Sequence, residues 1–143
     1  MDGAIFRLYK GLAWVIFAVV VLQFFLAGLG VFEVNDFGPH AITGVFVVAA
    51  SLLLLIIAIV AAATRSLTWG RVGITALFFA LMILQALLVF VWREGGPGVI
   101  AALHPVNGLL LLIVAYTLAR GRRLTQMAEG GPAQESAATS RVQ

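Results

Sequence analysis

Four long stretches without a charged residue follow one another along the chain. They run from Gly11 to Phe32, from Phe37 to Thr64, from Val72 to Trp92 and from Gly95 to Ala119. Each stretch exceeds the roughly 18–20 residues that a helix needs to cross about 30 Å of hydrocarbon. Because lipid offers the backbone no hydrogen-bond partners, an apolar segment that spans it must be helical. The pattern therefore predicts four transmembrane helices.

The connections between these stretches are short, which limits how the helices can be arranged. We predict helices at about 5–31, 37–63, 70–92 and 98–119. Short loops make successive helices antiparallel, so residues 1–123 are predicted to form an all-α, up-down-up-down membrane four-helix bundle. Beyond Arg123 the residues are mostly small and polar, and apolar residues do not recur at a helical spacing. We therefore predict a disordered cytoplasmic tail over residues 124–143.

Composition supports a membrane protein and excludes several kinds of site. The chain of 143 residues is 62% hydrophobic and 10% charged, whereas a soluble domain carries roughly 25% charged residues. It has no cysteine, which excludes disulfides, thiolate metal sites and iron–sulfur clusters. The first apolar run is longer than the core of a signal peptide, so we expect it to be retained.

The basic residues lie mostly on one side of the predicted membrane. The basic residues of that side are Arg7, Lys10, Arg65, Arg71, Arg120, Arg122 and Arg123, and the charged residues of the other side are Glu33, Asp36, Arg93 and Glu94. Cytoplasmic loops carry an excess of lysine and arginine. We therefore expect a multi-pass protein of the inner (plasma) membrane with both termini in the cytoplasm. The net charge of +3 then reflects orientation and contact with anionic lipids, not binding to nucleic acid.

A short polar pattern recurs in the two halves of the chain. It is His-x-x-(Thr/Asn)-Gly, given by His40, Thr43 and Gly44 and again by His104, Asn107 and Gly108. Gln23 and Gln85 recur in the preceding helices. Two hairpins inserted the same way up would be related by an axis along the membrane normal. The sequence thus predicts a parallel internal repeat.

The two histidines are the candidate ligands of a cofactor. His40 and His104 fall near the outer ends of the second and fourth helices, which face each other across the core of such a bundle. Two facing imidazoles without further ligands suit a haem iron, whereas zinc usually takes three or four protein ligands. The alternatives are a histidine pair that holds the bundle together, a quinone or other small-molecule pocket, and histidines that simply reach the headgroup region.

Residues beside the histidines extend this candidate site. Gly44 and Gly108 follow each histidine by four residues, so they share its helix face and leave space for a flat macrocycle. Thr43 and Asn107 are expected to bond an imidazole, a carbonyl freed by Pro105, or each other. Arg93 at the outer rim is the best partner for a haem propionate.

Three polar or kinked positions have two interpretations each. Gln23 and Gln85 either bond across the bundle and fix its register, which we favour, or flank a cofactor or quinone head. Pro105 disfavours helical geometry at His104. Either the fourth helix starts close to His104, or it is kinked there and the kink aims the imidazole.

The placement of the two histidines resembles one four-helix half of haem A synthase and, more loosely, the small membrane cytochromes b. It also resembles a family of small bacterial four-helix membrane proteins with the same histidine pair. In the synthase fold the second and fourth helices each supply one histidine to a haem, which His40 and His104 match. The synthase has two bundles and a glutamate near the ligand histidine; Glu33 is a poor match, so oxidation of a haem methyl group is not implied.

The sequence therefore predicts one of two functions. The first is a b-type cytochrome that holds one haem b in the outer leaflet and transfers electrons with a quinone or a redox partner protein, since six-coordinate iron has no open position for other chemistry. The second is a cofactor-free accessory or assembly subunit. Neither makes the chain an enzyme on its own.

Overall fold

The computed structural model describes residues 2–32 and 36–121. Within these residues the chain forms four α-helices and no strand. The helices are α1 (Asp2–Phe32), α2 (Gly38–Ala63), α3 (Trp69–Arg93) and α4 (Gly98–Arg120). Their ends differ from the predicted ends by three residues at the start of α1 and by one residue or none elsewhere. Glu33, Asn35 and the segment 122–143, including the predicted tail, lie outside the described residues.

All four helices are long and apolar enough to cross a membrane. Large apolar side chains lie on the outside of the bundle, among them Val45 at 70% exposure and Phe46 at 69%. Exposing so many apolar side chains to water would be very unfavourable in free energy, whereas lipid tails are as apolar as these side chains. The chain is therefore a multi-pass membrane protein.

Each helix packs against two neighbours in a closed ring. The pairs in contact are α1 with α2, α2 with α3, α3 with α4 and α4 with α1. Consequently α1 and α3 lie on one diagonal of the bundle, and α2 and α4 on the other. Residues of both diagonals meet in a core of buried side chains that includes Ile16, Leu54, Phe78 and Leu118.

The internal repeat is visible in the packing of the core. Equivalent positions lie 62 residues apart in α1 and α3, and 64 residues apart in α2 and α4. In six such pairs both residues are buried. These pairs are Ala13 with Thr75, Ile16 with Phe78, Val20 with Met82, Val47 with Leu111, Ser51 with Ala115 and Leu54 with Leu118. The two halves of the chain thus present equivalent faces to one core.

Local signals explain where the helices begin. The Thr68 hydroxyl accepts a hydrogen bond from the Arg71 N–H at 3.2 Å and caps α3. Phe37 is the N-cap of α2 and Pro39 lies in its first turn, and Asp36 precedes the N-cap by one residue. Its carboxylate still accepts a bond from the Gly38 N–H at 2.7 Å, so it satisfies a free donor of the helix start.

Polar contacts join the helices at the end of the bundle that holds the α2–α3 connection. Tyr9 and Thr75 share a hydroxyl–hydroxyl hydrogen bond of 3.0 Å between α1 and α3. The Lys10 ammonium donates to the Gly121 carbonyl and the Arg71 guanidinium to the Thr117 carbonyl, both at 2.8 Å. Cations at the carboxyl end of α4 also complement its helix dipole. This end is firmly tied, whereas the other end contains a cavity.

Candidate functional site

A cavity of about 640 Å³ lies inside the bundle towards the end at which α2 and α4 begin. Cofactor sites typically have volumes of about 300–1,000 Å³ and a mostly apolar lining with a few placed polar groups. The lining here comes from all four helices, and its polar members are Gln23, His40, Gln85, Arg93, Glu94 and His104. Both histidines of the sequence therefore face one internal space.

Most of the lining follows the internal repeat. Eight pairs of equivalent positions line the cavity: Val20 with Met82, Gln23 with Gln85, Phe24 with Ala86, Ala27 with Val89, His40 with His104, Ala41 with Pro105, Gly44 with Gly108, and Val47 with Leu111. The central part of the cavity thus has approximate two-fold symmetry. A flat ligand held by two equivalent residues suits such a space.

The structure brings His40 and His104 together from opposite corners of the bundle. Their ring centroids are 6.0 Å apart and their planes are inclined by 64°. Both side chains are half-buried. The two imidazoles therefore occupy the cavity at a common depth.

Each imidazole is held by a backbone carbonyl of the preceding helix. His40 Nδ1 lies 3.1 Å from the Gln23 carbonyl oxygen, and His104 Nδ1 lies 3.1 Å from that of Gln85. A carbonyl only accepts, so Nδ1 carries the proton in both rings. In the neutral ring Nε2 then keeps its lone pair. This arrangement fixes the tautomer and the ring orientation that a metal ligand requires.

The side-chain amides of the same two glutamines form a layer beside the histidines. The Asn107 amide donates to the Gln85 Oε1 at 2.7 Å and to the Leu81 carbonyl at 2.9 Å. Buried Gln23 Oε1 and Asn107 Oδ1 have no hydrogen-bond partner. The bond from Asn107 to Gln85 is a cross-helix polar contact of the favoured kind, but Gln23 forms no equivalent.

Thr43 does not take the role that Asn107 has in the other half. Its hydroxyl donates to the Pro39 carbonyl of its own helix at 2.7 Å. Neither Thr43 nor Asn107 bonds an imidazole, the other residue, or the carbonyl that Pro105 leaves free. These two positions support the helices around the cavity, and the imidazoles are held by the glutamine carbonyls instead.

The two glycines allow side chains of α1 and α3 to approach α2 and α4 closely. A Cβ at Gly44 would lie 3.3 Å from the Gln23 Nε2, and one at Gly108 would lie 3.4 Å from the Phe24 ring and 3.5 Å from the Gln85 Nε2. Gly44 and Gly108 both line the cavity. Larger residues at these positions would therefore narrow the cavity where the histidines enter it.

Arg93 and Pro105 also border the cavity. Arg93 is the last residue of α3, is exposed, and lies at the rim beside Glu94. Pro105 lies inside α4, which begins seven residues earlier at Gly98. Of the two interpretations of this proline, a helix start close to His104 is therefore wrong. Pro105 also lines the cavity, at the position equivalent to Ala41 in the other half.

Comparison with known proteins finds a match for part of the chain. Residues 23–91 match a family of unknown function, DUF6220. The matched segment runs from the second half of α1 to the end of α3, so it contains His40 and both glutamines but ends before His104. No curated protein and no solved structure matches the chain significantly. The comparisons show no link to haem A synthase, and that resemblance remains one of helix order and histidine placement.

Sequence reasoning missed how the site is organised around the glutamine backbone. A carbonyl carries no sequence signature, so the contacts of Nδ1 could not be read from residue types. Their only trace in the sequence is the similar spacing, since His40 follows Gln23 by 17 positions and His104 follows Gln85 by 19 positions.

Among the described residues, no three His, Cys, Asp or Glu side chains form a group that could hold a metal ion.

Proposed function

We propose that the chain binds one b-type haem between His40 and His104 and serves electron transfer in the membrane. The observation that carries this proposal is the facing pair of imidazoles across an apolar cavity. Both rings are oriented by carbonyls through Nδ1, which leaves Nε2 as the nitrogen directed to a ligand.

The separation of the rings fits two axial ligands of one iron. An imidazole nitrogen lies about 2 Å from a bound transition metal. Because the centre of an imidazole ring lies about 1 Å behind its nitrogen, two rings that held one metal between them would have centroids about 6 Å apart. The observed separation is 6.0 Å. The two-fold symmetry of the lining gives a flat macrocycle similar surroundings on its two faces.

The cavity also suits the chemistry of a haem. Its apolar walls exclude water from the ring. The pairing of Arg93 with a haem propionate stays a prediction, because the neighbouring Glu94 has the same charge as a propionate. Gly44 and Gly108 keep the helix backbones free of side chains beside the imidazoles. When bound, such a haem would supply a one-electron couple, and His40 and His104 would hold it. Electron transfer therefore fits this site better than oxygen chemistry.

The test is the absorption spectrum of protein produced with haem supplied during expression. We expect a Soret band that shifts on reduction, with one haem per chain. His40→Ala and His104→Ala should each abolish it, because a single histidine would then have to hold the haem. Ser51→Ala, which removes a buried hydroxyl of α2 bonded only to its own helix, is the matched control and should keep the band.

Two further measurements separate ligand loss from misfolding. Circular dichroism should show the same helix content for all variants. Added imidazole should restore the band in the alanine variants, since it fills the vacated ligand position. Colourless wild-type protein with full helix content would overturn the proposal and leave the cofactor-free accessory subunit as the function to pursue.

A further inference from the structure

The cavity departs from the two-fold symmetry of the bundle on one side. Five lining residues have no lining counterpart in the other half: Val45, Val48, Phe90, Arg93 and Glu94. All five belong to α2 or to α3 and its C-cap. The equivalent described positions on α1 and α4 (Gly28, Val31, Phe32, Leu109 and Leu112) do not line the cavity. The cavity therefore extends outwards between α2 and α3 and not between α4 and α1.

This extension reaches the apolar surface of the bundle. Val45 is 70% exposed and Phe90 is 59% exposed, although both also line the cavity. Their outer surfaces face the region that lipid occupies in a membrane protein. The lining of the cavity is thus continuous with the lipid-facing surface between α2 and α3.

The charges at the mouth of this α2–α3 cleft limit the kind of molecule that it suits. Arg93 and Glu94 are adjacent and exposed at the end of α3. Together they are neutral, and they offer a donor beside an acceptor. A phosphate headgroup would meet the Glu94 carboxylate as a like charge. A neutral head with oxygen groups suits this pair, because Arg93 can donate to a carbonyl or hydroxyl oxygen and Glu94 can accept from a hydroxyl.

We infer that the α2–α3 cleft binds a lipid-soluble quinone or quinol, with its ring and tail against Val45, Val48 and Phe90 and its oxygens at Arg93 and Glu94. The symmetric part of the cavity remains for the ligand of the two histidines. The inference rests on the proposed function for its purpose, since it names the lipid-soluble molecule that exchanges electrons with the haem. One quinol that becomes a quinone releases two electrons and two protons, so it would reduce the single haem of each of two chains, one electron to each, and the two protons would pass to water.

The internal repeat supplies a matched pair of variants for the test. Val45→Trp fills the cleft, while Leu109→Trp places the same side chain at the equivalent exposed position of α4, on the closed side. Protein produced with haem is placed in phosphatidylcholine nanodiscs that contain a decyl-substituted benzoquinone. After re-purification, the quinone retained per chain is measured by chromatography, and the rate of haem reduction by the corresponding quinol is measured in parallel.

We expect wild type and Leu109→Trp to retain about one quinone per chain, and Val45→Trp to retain at least tenfold less and to be reduced at least tenfold more slowly. Replacing both mouth charges in Arg93→Gln/Glu94→Gln should weaken retention as well. Dithionite, which acts from water, should reduce all variants equally.

The outcomes distinguish the two proposals. Equal retention in both tryptophan variants, or phosphatidylcholine retained in place of quinone, would overturn the inference while the haem spectrum stands. A wild-type protein without a Soret band that still retains quinone at the cleft would overturn the proposed function and leave the cleft as a quinone site.

Discussion

At the residue scale, Gln23 and Gln85 show how one residue type acts through two different groups. Both use the backbone carbonyl to hold a histidine at 3.1 Å. Only Gln85 also uses its side chain, which accepts a hydrogen bond from Asn107, whereas the buried Gln23 Oε1 has no partner. The shared geometry of the imidazoles therefore does not depend on the amides, and the side chains can be tested separately.

Leucine substitution at the two positions should have unequal effects on stability. Gln85→Leu removes a cross-helix hydrogen bond, and such bonds in membranes contribute about 0.6 kcal/mol on average and at most about 2 kcal/mol. Gln23→Leu removes an acceptor that has no partner, so it should cost nothing or stabilise the fold. Unfolding in mixed micelles, followed by circular dichroism, measures both. A larger loss for Gln23→Leu than for Gln85→Leu would contradict this account of the amide layer.

At the scale of the helices, the two halves differ in one hydrogen bond between neighbouring helices, and the repeat indicates which substitution would add it to the first half. Asn107 on α4 bonds both Gln85 and the Leu81 carbonyl of α3. Thr43 holds the equivalent place on α2 but is too short, and its hydroxyl turns back to Pro39. The corresponding groups of α1 are the Gln23 amide and the Val19 carbonyl, which stand 62 residues before their counterparts in α3.

Thr43→Asn should therefore rebuild in the first half the bond that exists in the second. We expect a gain of about 0.6 kcal/mol in the free energy of unfolding, the average for a hydrogen bond between membrane helices. The gain should be smaller in Thr43→Asn/Gln23→Leu, because the Gln23 acceptor is then missing and only the Val19 carbonyl remains. An equal gain with and without Gln23 would show that the introduced asparagine does not bond the Gln23 amide, and would contradict this account.

The helices and their repeat could be predicted because both depend on patterns that single residues reveal. Long charge-free stretches end at Arg65 or Arg93, and lipid enforces helical structure between such points. Equivalent depth of His40 and His104 follows from equivalent spacing. The partners of Nδ1, the capping by Asp36 from outside the helix, and the one-sided opening of the cavity could not be predicted. These depend on backbone atoms or on the packing angle between helices, which identical residue types leave undetermined.

At the scale of the whole molecule, the two ends of the bundle have different characters. The end with the α2–α3 connection is tied by Tyr9, Lys10 and Arg71. The other end carries the cavity and the mouth of the cleft. If the proposed haem is bound, electron exchange across the bundle would require a second site, because a haem near one end would not bridge about 30 Å of hydrocarbon. The side of the membrane that the cavity faces therefore decides from which compartment the protein is reached.

The distribution of basic residues predicts that the cavity end faces outwards and both termini face the cytoplasm. Since the chain has no cysteine, single substitutions give labelling without background. Thr64→Cys lies at the end of α2 and Pro97→Cys at the start of α4, and both positions are exposed. A membrane-impermeant maleimide, small enough to reach the inner membrane, should label Pro97→Cys in intact cells and Thr64→Cys only after permeabilisation. Labelling in the reverse order would place the histidine cavity on the cytoplasmic side, because all four spans are fixed relative to one another by their short connections.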